Sequence, residues 1–137
     1  MGPNGTTSGR AGVIAALGTG AAVAGGLAYV GLVDPHRPGS LFPPCPFKMI
    51  TGWDCPACGG LRMTHGVLHG DMAAAVTDNV FLLVGIPLLL LWGVWRLRVG
   101  RPLVTWWAGA TVLSATVGWT VVRNLPGFPL VPTLLSG

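Results

Sequence analysis

Cys45, Cys55 and Cys58 are the three cysteines of this 137-residue chain, and all fall in one short stretch. Two of them form Cys55-Pro56-Ala57-Cys58, followed by Gly59-Gly60 and then by His65 and His69. A Cys-x-x-Cys pair brings two sulfurs close enough to share a metal ion or to close a small disulfide. Gly directly after the second cysteine permits a left-handed turn that aims backbone amides at the thiolates, as in a metal-binding knuckle. Zinc takes four ligands. Cys45, Cys55 and Cys58 supply three, and His65, or His69 in its place, can supply the fourth. On a helix continuing from Cys58, the residues Arg62, His65 and His69 share one stripe with it. Gly59-Gly60 opposes such a helix by about 2 kcal/mol relative to alanine.

The same sulfurs admit two other chemistries. If Pro56 opens a helix, Cys55 stands at its N-terminus, where the macrodipole favours the thiolate, and Cys45 becomes a third, exchanging thiol. The chain lacks the Trp-Cys-Gly-Pro-Cys order of thioredoxin-like enzymes; Trp53 is only a partial echo. In an oxidising compartment, two of the cysteines bridge and the third is buried. Bridging, coordination and exchange all stay open, and no catalytic residue is predicted. His65 and His69 also read as interfacial side chains, and Arg62 as a partner for Asp54, Asp71 or Asp78. Asp71 after Gly70 reads as a helix cap, and Asp78 and Asn79 as caps or anchors for the apolar helix that follows.

Charged residues are 9% of the chain and hydrophobic residues 51%, whereas soluble domains carry roughly 25% charged residues. That is the composition of an integral membrane protein. The net charge of +4 does not point to nucleic acid, because only Arg96, Arg98 and Arg101 cluster, and they lie between two apolar segments.

The elements that must position the cysteines follow from the apolar runs. Residues 1–10 are polar and glycine-rich, expected to be disordered. The uncharged run 11–33 is long enough, at roughly 34 Å, to cross a bilayer core of about 30 Å. Gly18 with Ala22, and Ala21 with Gly25, suggest a face open to close helix approach. Ala22-Val23-Ala24 offers a signal-peptide reading, opposed by the apolar run continuing to Val33. Residues 34–78 form a Cys-rich interfacial segment in which Pro35, Pro38, Pro43, Pro44 and Pro46 hold back helix. A second span covers 79–95 with a kink at Pro87, a basic loop covers 96–102, and a third span covers 103–122. Residues 123–137 are an apolar, proline-rich tail.

Trp92 and Trp95 precede the arginine cluster, and Trp106 and Trp107 follow it, as in an interface belt beside a cytoplasmic loop. The N-terminus and 96–102 are then cytoplasmic and the Cys segment faces outward.

The order Cys45-Pro46-Phe47, Thr51-Gly52, Cys55-Pro56-Ala57-Cys58-Gly59, Arg62, Leu68, Gly70-Asp71, Ala74 or Ala75, and Asn79 before an apolar helix resembles a small bacterial membrane-protein family catalogued as domain of unknown function 2752. The resemblance runs over about residues 45–91. The family pattern usually has Thr directly before the Arg and Pro after the Asn, where Leu61 and Val80 stand here. The resemblance implies membrane placement and a cysteine-centred segment, and confers no activity.

The sequence therefore predicts an all-α, multi-pass integral membrane protein of three transmembrane helices, with a Cys-rich, partly helical segment between the first and second. Its expected partners are the lipid bilayer and other membrane protein subunits, with no nucleic acid. The expected role is an accessory or scaffold subunit with a disulfide- or metal-stabilised Cys segment. The alternative is a membrane-anchored thiol-disulfide exchange or zinc-binding protein, with zinc the one candidate cofactor. The absence of ionisable residues from the apolar spans counts against a transporter.

Overall fold

In a computed structural model of the protein, which describes residues 5–37, 42 and 44–130, the chain is helical throughout, with no strand among the described residues. The helices are α1 (Gly5–Leu32), α2 (Pro46–Thr51), α3 (Gly60–Leu68), α4 (Met72–Arg98) and α5 (Trp106–Arg123). Helix α1 takes in residues 5–10, which composition assigned to a disordered N-terminus. Extending an established helix through Thr and Ser costs only tenths of a kcal/mol per residue, which composition alone does not weigh.

Among the described residues two helices, not three, are long and apolar enough to cross a membrane: α1 over Arg10–Leu32 and α4 over Met72–Arg98. The expected third span, 103–122, is shortened at its start. Thr105 is extended (φ −127°, ψ 145°), so α5 begins at Trp106 and has 18 residues, about 27 Å. It ends in Arg123 and carries Thr111, Ser114, Thr116 and Thr120.

The distribution of polarity is inverted relative to a soluble fold. Among the described residues, Val30, Met63 and Ala75 are the buried hydrophobic side chains, whereas Asp78, Asn79 and Arg123 are the buried polar ones. Every residue from Arg10 to Tyr29 is exposed. A surface of this kind is stable where the solvent is hydrocarbon, and the polar groups inside must then find one another.

Helix α4 is two helices end to end. Its break lies at Asn79 (φ −163°, ψ 83°), while Pro87, where the sequence placed the kink, keeps a helical backbone. Asn79 Oδ1 accepts the Leu82 amide at 3.0 Å and so caps the second half. The first half is capped as the sequence suggests: Gly70 is left-handed (φ +76°) and Asp71 Oδ1 accepts the Ala74 amide at 2.9 Å.

Helix α3 lies against α4, and the end of α1 against α3. Gly66 permits the first contact, since a Cβ there would lie 3.0 Å from the Asp71 carbonyl oxygen and 3.2 Å from the Ala75 amide. Helix α5 meets α4 through Phe81 stacked on Trp119 (5.6 Å between ring centroids), and Phe128 of the following turn packs edge-on against the same indole. At the far end Arg96 donates to the Pro102 carbonyl and lies over the Trp92 ring. Residues 131–137 of the expected tail, and Pro38 and Pro43, lie outside the described residues.

Candidate metal centre

The three sulfurs converge from two segments of chain. Cys45 precedes Pro46, which opens α2, so its side chain sits at the start of that short helix. Cys55 and Cys58 lie on a turn closed by the Cys58 amide donating to the Cys55 carbonyl at 3.0 Å. Cys55 Sγ is central, 3.3 Å from Cys45 Sγ and 3.0 Å from Cys58 Sγ. All three sulfurs lie within 4.8 Å of one another, and all are free and half-buried.

Tetrahedral zinc at about 2.3 Å from each sulfur sets neighbouring sulfurs roughly 3.8 Å apart. A disulfide sets two at about 2.05 Å and leaves the third out. Cys55 Sγ lies between these limits from both neighbours, and all three atoms fall within 4.8 Å of one another. The Cys55 amide also donates to Cys58 Sγ at 3.2 Å, and Gly59 is left-handed (φ +82°) as the knuckle reading requires.

The thiols are not equivalent. The Lys48 amide, close to Cys45 Sγ though outside full hydrogen-bond geometry, holds the Cys45 thiol below its ordinary value, with the Cys55 thiol assisting. Burial pushes the Cys58 thiol up to about 12, and the Cys55 and Cys45 sulfurs add to the rise. Cys45 is therefore the readier of the two to ionise. A bound cation would favour the Cys58 thiolate.

The turn carrying Cys55 and Cys58 is held by its carbonyls. Asn79 Nδ2 donates to the Pro56 and Cys58 carbonyls, each at 3.0 Å. Arg123 Nη1 donates to the Cys55 and Cys58 carbonyls at 3.2 and 2.9 Å. Asn124 clasps the preceding residue from both sides, accepting the Asp54 amide and donating to its carbonyl, each at 2.9 Å. Lys48 Nζ pairs with Asp54 at 2.9 Å and ties α2 to the same turn. Gly59 lies against the backbone of Asp78, where a Cβ would overlap the carbonyl oxygen.

The histidines proposed from the sequence are elsewhere. Pro56 opens no helix, and α3 starts only at Gly60, after left-handed Gly59. Cys58 is therefore off the stripe that carries Arg62, His65 and His69. His65 Nδ1 lies 2.7 Å from the Val30 carbonyl, and its ring stacks on His69, whose own Nδ1 lies 2.9 Å from the His65 carbonyl. Neither is in the sulfur group. Arg62 is half-buried on α3, outside that group as well.

A second polar cluster, which the sequence did not single out, borders the first. His36 places Nδ1 3.0 Å from Asp34 and Nε2 3.0 Å from fully buried Asp78, with His65 Nε2 3.9 Å from Asp34. This joins the end of α1 to the break in α4.

Residues 45–93 match the family described as "Protein of unknown function (DUF2752)". No curated protein and no solved structure matches the chain. The DUF2752 segment contains the three cysteines, Asn79 and Asp78. Arg123 and Asn124, which grip the Cys turn, and Asp34 and His36, which grip Asp78, come from outside it.

Proposed function

We propose that this is a membrane-anchored protein that binds a soft divalent cation of the zinc class through Cys45, Cys55 and Cys58. The observation that carries the reading is the convergence of all three sulfurs, since a disulfide would use two. Three thiolates leave one tetrahedral position for a small ligand or a partner's side chain, as in an exchangeable rather than a closed site. Neighbours already orient the donors: the Cys55 amide on Cys58 Sγ, and Asn79 and Arg123 on the carbonyls of the turn.

Around this centre we place three crossings, with α5 extended by Leu103–Thr105 as the third. The N-terminus and the loop 96–102 are cytoplasmic and the Cys segment faces outward. The arginines between paired tryptophans support that orientation. An accessory-subunit role would use α1, whose residues from Arg10 to Tyr29 are exposed.

The test is intact-mass analysis of the purified protein, with and without reduction and alkylation, alongside metal analysis. One zinc-class ion per chain, three alkylatable thiols after chelation, and loss of the ion in Cys55→Ser are expected. A stable Cys55–Cys58 bridge with no metal would refute the proposal.

A further inference from the structure

Arg123 is 6% exposed. Its Nη1 is taken up by the Cys55 and Cys58 carbonyls, and its Nη2 is buried with no hydrogen-bond partner among the described residues. The guanidinium lies over the Trp119 ring, 5.5 Å from its centroid. No carboxylate among the described residues lies within ion-pair distance of it; the pairs are formed by His36, Arg37, Lys48 and His65. A buried cation held only by carbonyl dipoles and an aromatic face is costly, and proteins offset that cost with a nearby anion.

The three candidate states of the cysteines differ in what they offer. Three thiols are neutral, and so is a disulfide with one thiol. A divalent cation on three thiolates carries a net charge of −1, located at the turn whose carbonyls Arg123 already holds. We infer that Arg123 is the charge partner of the Cys centre: α5 supplies the cation that balances a metal tris-thiolate and biases the three sulfurs toward a divalent metal rather than a disulfide. This rests on the metal reading above and adds what that reading leaves unassigned, the reason a buried arginine from outside the DUF2752 segment reaches the site. Arg123 is a positioning and charge-balancing residue, since it touches the carbonyls and not the sulfurs' metal position.

The charge role and a merely structural role predict opposite behaviour. In the metal-free, reduced protein no carboxylate among the described residues pairs with Arg123, so Arg123→Gln, whose amide still donates to a carbonyl, leaves thermal stability unchanged or raises it. In the metal-bound protein the same change removes a single charge pair at a low effective dielectric. Affinity then falls by about ten- to a hundredfold.

The experiment titrates Co2+, whose thiolate charge-transfer absorption reports sulfur ligation, into full-length reduced protein in detergent micelles. It compares wild type, Arg123→Gln and Arg123→Lys, with melting of the metal-free forms in parallel. Wild-type binding, weakened affinity in Arg123→Gln with no loss of metal-free stability, and near wild-type affinity in Arg123→Lys are expected. Equal affinity in wild type and Arg123→Gln overturns the inference while leaving the metal reading intact. A loss in Arg123→Lys as large as in Arg123→Gln overturns the charge role, and serves as the test if Arg123→Gln fails to fold. Wild type without cobalt-thiolate absorption overturns the metal reading itself.

Discussion

Gly59→Ala tests whether the cysteine turn is seated on the break in α4. Two separable costs act at this position. The first is conformational: at φ +82° an L residue with a Cβ costs roughly 1–2 kcal/mol. The second is steric. The new Cβ would overlap the Asp78 carbonyl oxygen and lie 3.1 Å from its carbon, and these are backbone atoms that cannot rotate away. Relief requires the turn to lift by about 1 Å, an overpacking cost of about 1–3 kcal/mol. Lifting also stretches the bonds from Asn79 and Arg123 to the Cys58 carbonyl, now 3.0 and 2.9 Å, beyond useful range. The two costs sum to about 2–5 kcal/mol before the stretched hydrogen bonds are counted.

Gly52→Ala is the internal control, because Gly52 is also left-handed (φ +74°) but an added methyl there would have nothing within 4 Å, so it incurs only the first cost. Gly60→Ala is a second control. There the near atom is Leu82 Cδ1 at 2.9 Å, the movable end of a side chain. The assay is denaturant unfolding in detergent micelles followed by tryptophan fluorescence, with maleimide labelling of Cys58 under native conditions. Gly59→Ala is expected to lose at least about 2 kcal/mol more than Gly52→Ala and to label faster. Equal losses at 59 and 52 would mean the turn does not rest on Asp78, and the placement of the Cys centre would be wrong.

Two further outcomes follow from the same contacts. Asn79→Ala removes two donors to the Pro56 and Cys58 carbonyls and the cap on Leu82. It should lower stability by about 3 kcal/mol, with Asn79→Ser, which keeps a cap acceptor, recovering about 1 kcal/mol in the same unfolding assay; a loss below about 1 kcal/mol in Asn79→Ala would contradict these bonds. Asp34 is held below its ordinary value of 3.8 by the His36 amide first, then by the His36 and His65 rings, against partial desolvation. A depressed carboxyl contributes stability that is present above the unfolded value and lost as pH falls through the folded one. The wild-type melting temperature should therefore drop below about pH 4 more steeply than that of Asp34→Asn, and parallel acid profiles would show that Asp34 makes no such contribution.

What the sequence made legible was local. Gly70 and Asp71 read as a stop and a cap, and Asn79 as a cap or anchor, because those roles depend on residues three or four positions away. The sulfur cluster was legible for the same reason, since all three cysteines lie in one short segment. His65 and His69 fall outside the sulfur group because a helical stripe from Cys58 assumes that the helix starts there. Gly59, left-handed against Asp78, delays it to Gly60. The helix of the third run starts later than expected because an uncharged run does not reveal where Thr105 leaves the helix. Arg123, Asn124 and His36 gave no signal at all. Their partners are 65 to 70 residues away for Arg123 and Asn124 and 42 for His36, and no periodicity spans such distances.

The His36 contact and the two bonds from Asn79 to the Cys turn share one origin, the break at Asp78-Asn79. A continuous α4 would bond its backbone internally and take the Asn79 donor away from the Pro56 carbonyl, while the Cys55 and Cys58 carbonyls kept Arg123; a buried carbonyl left unpaired costs about 1–3 kcal/mol. Breaking it at Asn79 frees one buried amide to donate twice to that turn while its oxygen restarts the helix. The preceding carboxylate, Asp78, is turned to His36 at the end of α1. The two polar clusters are thus the two sides of one interruption. A change that restores helix at 79, such as Asn79→Leu, should therefore release both the Cys turn and the 34–37 loop together, whereas Asp78→Asn should loosen the loop alone. Amide hydrogen exchange over the two segments separates these outcomes, and protection lost from only one of them in Asn79→Leu would show that the clusters are independent.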